Sequence, residues 1–218
     1  MTKKRSFRHW KKRRIDTTET CNLKLLRFDP ILFELNDQLK QSVYHNLEVL
    51  QINCTTISTI ACIIKNSGKH LKKISTSDPE NDDFYEDSLI LIRAISENCP
   101  LLESLSLTFT SSKMHFIELE KLLKTCQNLK ALSLNIKIIN DVLSFKFNET
   151  MLESEKGLSK VMIKSAPVNL KELRLDGYYH FILSSETLKT HLENWSGRRP
   201  FSIFVSDSHY EIEEYRRL

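Results

Sequence analysis

Apolar residues recur along this chain in one phrase, Leu-x-x-Leu-x-Leu. It is clearest at Leu102, Leu105 and Leu107, and again at Leu129, Leu132 and Leu134 and at Leu170, Leu173 and Leu175. Counting from the first leucine of each copy as position 0, the copies begin at Leu23, Leu47, Leu71, Leu102, Leu129 and Leu170, with a weak last one at Pro200. Apolar residues follow at +3 and +5: Leu26 and Phe28, Leu50 and Ile52, Leu105 and Leu107, Leu132 and Leu134, Leu173 and Leu175, Ile203 and Val205. The copy at Leu71 has Ile74 but then Thr76, and is degenerate. Such alternation predicts a short strand with +3 and +5 turned inward and +2, +4 and +6 turned outward.

Between these strands the period changes. Ile31, Leu32, Leu35 and Leu39 have helical spacing, as do Phe116, Leu119, Leu122 and Leu123, and Leu188, Leu192 and Trp195. Helices are also expected from Asp87 to Asn98, stopping at Cys99-Pro100, and from Met151 to Lys164. The copies start 24, 24, 31, 27, 41 and 30 residues apart. Self-similarity with a period of about 20 to 29 residues marks a leucine-rich repeat array, and the longer intervals require insertions. The prediction is therefore an α/β leucine-rich repeat solenoid with parallel strands on its concave side and helices on its convex side. Each strand–helix unit is too small to hide its own leucines and must stack on its neighbours. Residues 21–218 form this domain, in about seven repeats with the last as a cap.

Two insertions stand out. Residues 75–87 carry six acids and a proline, and read as an exposed loop. Residues 134–170 hold extra apolar positions, with Asp141 to Phe147 as an additional strand or loop.

Charge is unevenly distributed. The net charge is +4, yet residues 1–14 hold eight Lys and Arg and no acid. The rest carries 32 − 8 = 24 basic residues against 28 acidic ones, a net of −4. Residues 1–20 read as a basic, disordered tail. Its clusters, Lys3, Lys4 and Arg5 and then Lys11, Lys12, Arg13 and Arg14, flank Phe7 and Trp10. They fit a nuclear-import signal, a nucleic-acid or anionic-surface patch, or simply a solvated segment.

No apolar run is long enough for a membrane span, and no apolar core follows the basic start as in a secretory signal. Five cysteines, an odd number without a Cys-x-x-Cys, indicate reduced thiols and a cytoplasmic or nuclear protein. The motifs of phosphate loops, serine hydrolases and zinc peptidases are missing. Tyr178-Tyr179-His180 is the most site-like cluster and reads as an aromatic turn. The acidic loop lacks calcium-loop spacing, and Cys99 and Cys126 read as small buried groups at equivalent helix ends. The expectation is a monomeric, non-enzymatic protein without cofactor, metal or membrane contact.

If the array is right, arithmetic names the open-face residues. Those selected for protein binding are Arg27, Gln51, Asn53, Lys73, Ser106, Ser133, Asn135, Glu172, Arg174, Asp176 and Phe204. Arg27, Arg174 and Phe204 are the expected anchors, because arginine and aromatic residues dominate interface energies.

The phrases Ser96-Glu97-Asn98-Cys99-Pro100-Leu101-Leu102-Glu103-Ser104-Leu105-Ser106-Leu107 and Lys124-Thr125-Cys126-Gln127-Asn128-Leu129-Lys130-Ala131-Leu132-Ser133-Leu134 resemble the cysteine-containing leucine-rich repeats of F-box proteins, fungal ones in particular. The resemblance covers about residues 22–206. It implies a right-handed horseshoe of substrate-recognition repeats in a ubiquitin-ligase receptor, with a protein substrate and, through an F-box, a Skp adaptor and a cullin (the SCF complex) as partners. No F-box is visible among the charged residues ahead of Leu23, and no regular asparagine ladder stands at +8.

Overall fold

A computed structural model describes residues 23–28, 36–52, 56–76, 84–137, 147–177, 184–195 and 200–207. Strands and helices alternate: β1 (Leu25–Phe28), α1 (Asn36–Gln41), β2 (Val49–Ile52), α2 (Ile57–Lys65), β3 (Lys73–Thr76), α3 (Phe84–Asn98), β4 (Ser104–Thr110), α4 (Lys113–Thr125), β5 (Ala131–Lys137), α5 (Phe147–Ser165), β6 (Glu172–Gly177), α6 (Ser185–Trp195) and β7 (Ser202–Asp207). The seven strands form one parallel sheet, ordered β1 to β7 as in the chain. The helices follow the same order, each packing against the next.

Register repeats with the sequence phrase. Leu26, Leu50, Ile74, Leu105, Leu132, Leu173 and Ile203 are partners across the sheet, one per strand. From Leu26 to Leu173 all are buried, and with Ile52, Leu107, Leu134 and Leu175 they join one core with the helices. A recurrent backbone device sets this register. The carbonyl at +1 accepts hydrogen bonds from the +1 and +2 amides of the next repeat. Lys24 O takes Glu48 N and Val49 N, Glu48 O takes Lys72 N and Lys73 N, and Lys72 O takes Glu103 N and Ser104 N. Glu103 O and Lys130 O serve the following two repeats in the same way.

The degenerate copy pairs normally. Thr76 fills the buried +5 place, and its hydroxyl donates to Ser106 O at 3.4 Å. At the other end the pattern weakens: Val205, an inward position by arithmetic, is 39% exposed. Thr108 departs oppositely, since position +6 should face outward, yet Thr108 is only 3% exposed and its hydroxyl has no partner.

The helices are longer than their apolar spacing indicates. α3 starts at Phe84 rather than Asp87, and α5 covers Phe147–Ser165. Phe147, expected at the end of an extra strand or loop, is the first residue of α5 instead. In α1 only Asn36–Gln41 is described, so Ile31, Leu32 and Leu35 lie outside the described residues. α2 has no counterpart among the expected helices. Its Ile57, Ile60, Ile63 and Ile64 are buried, so packing overrides the weaker helix propensity of β-branched residues. Leu192, placed on a buried helical stripe by its spacing, is 54% exposed. Residues 1–22, 77–83, 138–146, 178–183 and 208–218, which hold the basic tail, most of the acidic loop, the Tyr178–His180 cluster and the C-terminal segment, lie outside the described residues. No described helix is long and apolar enough to cross a membrane.

Cys99 and Cys126 do occupy equivalent places, each immediately after a helix, and both are buried. Cys126 Sγ donates to Cys99 O at 3.3 Å, joining successive turns. Burial pushes the Cys126 thiol up to about 12, and burial followed by the neighbouring Cys126 pushes Cys99 up as well. The asparagines at −1 also link successive turns: Asn128 Nδ2 donates to Pro100 O across the same pair, and Asn169 Nδ2 to Gln127 O across the next.

Position +1 also carries a charge ladder, read across the strands as Lys24, Glu48, Lys72, Glu103, Lys130 and Lys171. Glu48 pairs with Lys24 at 3.1 Å and Lys72 at 3.0 Å, and Glu103 pairs with Lys130. The hydrogen bond from Lys72 leads the causes that hold the Glu48 carboxyl below its usual range. Such surface pairs are weak and screened by salt. Lys171 follows Lys130 and breaks the alternation.

Two outcomes follow for stability. Leu132→Ala is expected to cost about 2 to 5 kcal/mol, whereas Leu192→Ala stays within about 0.5 kcal/mol, both by urea unfolding. K171E is expected to raise the urea midpoint slightly at low ionic strength, with the gain gone in about 1 M salt; a gain that persists in salt refutes the electrostatic account of the ladder.

Candidate interaction surface

The strands bury one set of alternate residues under the helices and leave the other set open. β5 and β6 show this best: Leu132, Leu134 and Ile136, then Leu173 and Leu175, are buried between partly or fully exposed neighbours. The +4 row of the open face reads Arg27, Gln51, Ser75, Ser106, Ser133, Arg174 and Phe204, in register across all seven strands. Neighbouring strands lie about 4.8 Å apart, so the row spans roughly 29 Å. The +2 row reads Leu25, Val49, Lys73, Ser104, Ala131, Glu172 and Ser202. Asn135 and Asp176 are partners at +6. Asn53 and the basic tail lie outside the described residues.

The face therefore has a low middle and raised ends. Ser75, Ser104, Ser106, Ala131 and Ser133 offer short side chains, mostly hydroxyls, on β3 to β5. Arg27, Gln51 and Lys73 stand on one side, and Glu172, Arg174 and Phe204 on the other. Arg174, one of the expected anchors, is held in place. Its Nε donates to Glu172 Oε1, and its guanidinium carbon lies 5.0 Å from the centre of the Phe204 ring. Phe204 is 48% exposed, and stacking of the guanidinium on it holds both side chains in place. Pre-ordering lowers the entropy that a partner's arrival must overcome.

One buried polar cluster escaped sequence reasoning. His115 on α4 is fully buried. Its Nε2 is 2.7 Å from Ser88 Oγ of α3, and its Nδ1 is 2.8 Å from Ser112 Oγ, with the Phe109 ring edge-on at 5.8 Å. Ser112 is also the N-cap of α4 and accepts from His115 N. Ser88 is buried too, so this serine–histidine pair ties α3 to α4 in a place no substrate reaches. The cap pattern Ser112-x-x-His115 is its only trace in the sequence. Among the described residues, no group of three metal-ligating side chains converges.

With Glu155 on α5, Glu118 on α4 is one of two buried carboxylates of the helix layer among the described residues. Arg93 Nε lies 3.1 Å and Lys121 Nζ 3.2 Å from its Oε1. Burial pushes its carboxyl up, but hydrogen bonds from Lys121 and Arg93 outweigh burial and hold it below its ordinary value of 4.5. A carboxyl depressed by folding stabilises above the unfolded value and loses that contribution as pH falls through the folded one. Glu118→Gln is thus expected to lower stability at pH 7 and to flatten the decline below about pH 4.5. Urea midpoints from pH 7 to the acid limb measure both, and an unchanged acid slope refutes the assignment.

Neither the protein-family models nor the curated proteins contain a match to this chain.

Proposed function

We propose that the chain is a leucine-rich repeat solenoid, a right-handed horseshoe that binds another protein on its open, concave sheet face and performs no catalysis. One observation carries this reading: the parallel strands run in unbroken chain order and, among the described residues, helices cover one face of the sheet. Doubly wound nucleotide-binding folds reverse strand order and cover both faces of the sheet, creating a crevice at the reversal. A sheet that never reverses has no such crevice and offers a long, stiff platform instead. Proteins presenting such a platform bind macromolecules by shape and by a few anchors, here Arg174 stacked on Phe204 and, at the far side, Arg27 and Lys73.

The resemblance of the cysteine-containing repeats to those of F-box proteins narrows the role. The reading is that these are the substrate-recognition repeats of an F-box-like ubiquitin-ligase receptor, acting in the cytoplasm or nucleus. The two cysteines sit at equivalent helix ends and stack through Sγ and a carbonyl, which accords with that repeat type.

Affinity capture from a fungal lysate tests the reading, using the full chain, a chain starting at Asp16, and the open-face variants Ser106→Arg, Ser133→Arg and Arg174→Ala. The expected outcome is capture of Skp and cullin subunits and of a distinct protein partner. That partner should be lost in the arginine variants, at unchanged thermal stability, and retained without the tail. Partners kept by every open-face variant rule out the concave face. Partners lost only with residues 1–15, in a salt-sensitive manner, transfer function to the basic segment and its anionic ligands.

A further inference from the structure

The helix side carries a feature that the open face does not use. α4 and α5 leave between them a groove of about 440 Å³. Its apolar wall comes from Phe116, Ile117 and Val161, and its charged rim from Lys113, Lys160 and Lys164 with Glu120 and Glu153, of which Glu120 is paired with Lys164. Gly157 shapes it. A Cβ at that position would lie 2.6 Å from Phe116 Cε2, so glycine in mid-helix lets the Phe116 ring rest against the α5 backbone. Glycine there costs roughly 1 kcal/mol of helix propensity relative to alanine, which close packing explains. Ile117 remains 40% exposed at the groove, an apolar side chain left in water.

Charge around the groove runs against the body of the protein, which is net negative beyond the tail. Six lysines on the two helices, Lys113, Lys121, Lys124, Lys156, Lys160 and Lys164, are exposed. Among the described side chains of α4 and α5, Glu153 is the sole fully exposed acid. The other acids with described side chains are engaged, and they occupy three of these lysines: Glu120 pairs with Lys124 and Lys164, Glu118 with Arg93 and Lys121, and Glu155 accepts from the Ser184 amide, which leaves Lys113, Lys156 and Lys160 without an ion pair among the described residues. Lys156, Lys160 and Lys164 recur every four residues, so they form one stripe with about 6 Å between neighbours.

We propose that the α4–α5 groove is a second binding surface, one that takes an acidic helix of another protein and seats a single large apolar side chain on Phe116, Ile117 and Val161. Carboxylates four residues apart on that helix have the same pitch as the lysine stripe. The concave apolar wall disfavours a membrane, which is bound by apolar groups that protrude. A nucleic-acid strand would leave most of that wall in water, and the groove offers it one aromatic ring, Phe116, which is packed against Gly157 rather than set out as a row of stacking platforms.

The probe is a fluorescein-labelled helical peptide of sixteen residues with Glu at three places four residues apart and one central Phe, followed by anisotropy on the full chain. Saturable binding is expected. It should weaken at least about tenfold when the Glu residues become Gln, when the Phe becomes Ser, or in the double variant K113E/K160E. Ser106→Arg on the sheet face should change nothing, and neither should a variant with Lys3, Lys4, Arg5, Lys11, Lys12, Arg13 and Arg14 all replaced by Gln. No saturation up to about 1 mM peptide, equal binding of the Gln peptide, or indifference to K113E/K160E overturns the proposal. So does loss of binding in the tail variant, or tighter binding of phosphatidylserine vesicles or single-stranded DNA through the same two lysines. Because Ser106→Arg acts on the other face, failure here and failure of the concave-face reading are separable.

Discussion

Every repeat hangs from one carbonyl oxygen. At position +1 that oxygen receives two amides from the next repeat, from Lys24 through Lys130, and the last strand repeats half of it as Ser202 N donates to Lys171 O. A parallel strand slipped by one residue would turn its leucines to water and its serines to the core. The leucine pattern decides which residue takes the double capture at the strand's first step, and the contact recurs at that same step from repeat to repeat. The leucine ladder, the helix layer and the serine-floored open face all inherit their alignment from this contact.

What could be read in advance follows the same logic. Position +3 is occupied by Leu or Ile in every copy, so the strands and their inward faces were legible from spacing alone. So was the equivalence of Cys99 and Cys126. Less legible were features that depend on distance rather than period. α2 is less legible because Ile57, Ile60, Ile63 and Ile64 are β-branched and favour strands by composition, although Ile57, Ile60, Ala61 and Ile64 keep helical spacing. Leu192 sits at the right spacing but at a place no neighbour covers. Thr108 lies on the open side by count, and it is nevertheless enclosed with an unpaired hydroxyl; the structure provides no account of that burial.

The candidate surface was legible as a set of positions and not as a set of states. Arithmetic brings Arg174 and Phe204 into one row but cannot show the guanidinium lying over the ring or Glu172 restraining it, because rotamers are set by tertiary neighbours. The same holds for the groove on the helix side. Phe116 and Gly157 are forty-one residues apart, and nothing in either segment says that one ring needs the other's missing methyl. Charges behave likewise: a count along α4 and α5 does not show that Lys121, Lys124 and Lys164 are held by Glu118 and Glu120 while Lys113, Lys156 and Lys160 stand without an ion pair among the described residues.

The +1 contact also separates two lengths that most folds bind together. Repeat starts differ by 24 to 41 residues, yet each strand meets the next in identical register. Extra chain leaves after the strand and is absorbed before the following turn, so interval length is decoupled from platform geometry. Such a scaffold can gain or shed whole stretches between strands, recognition elements included, while the spacing of every other residue on the sheet stays as it was.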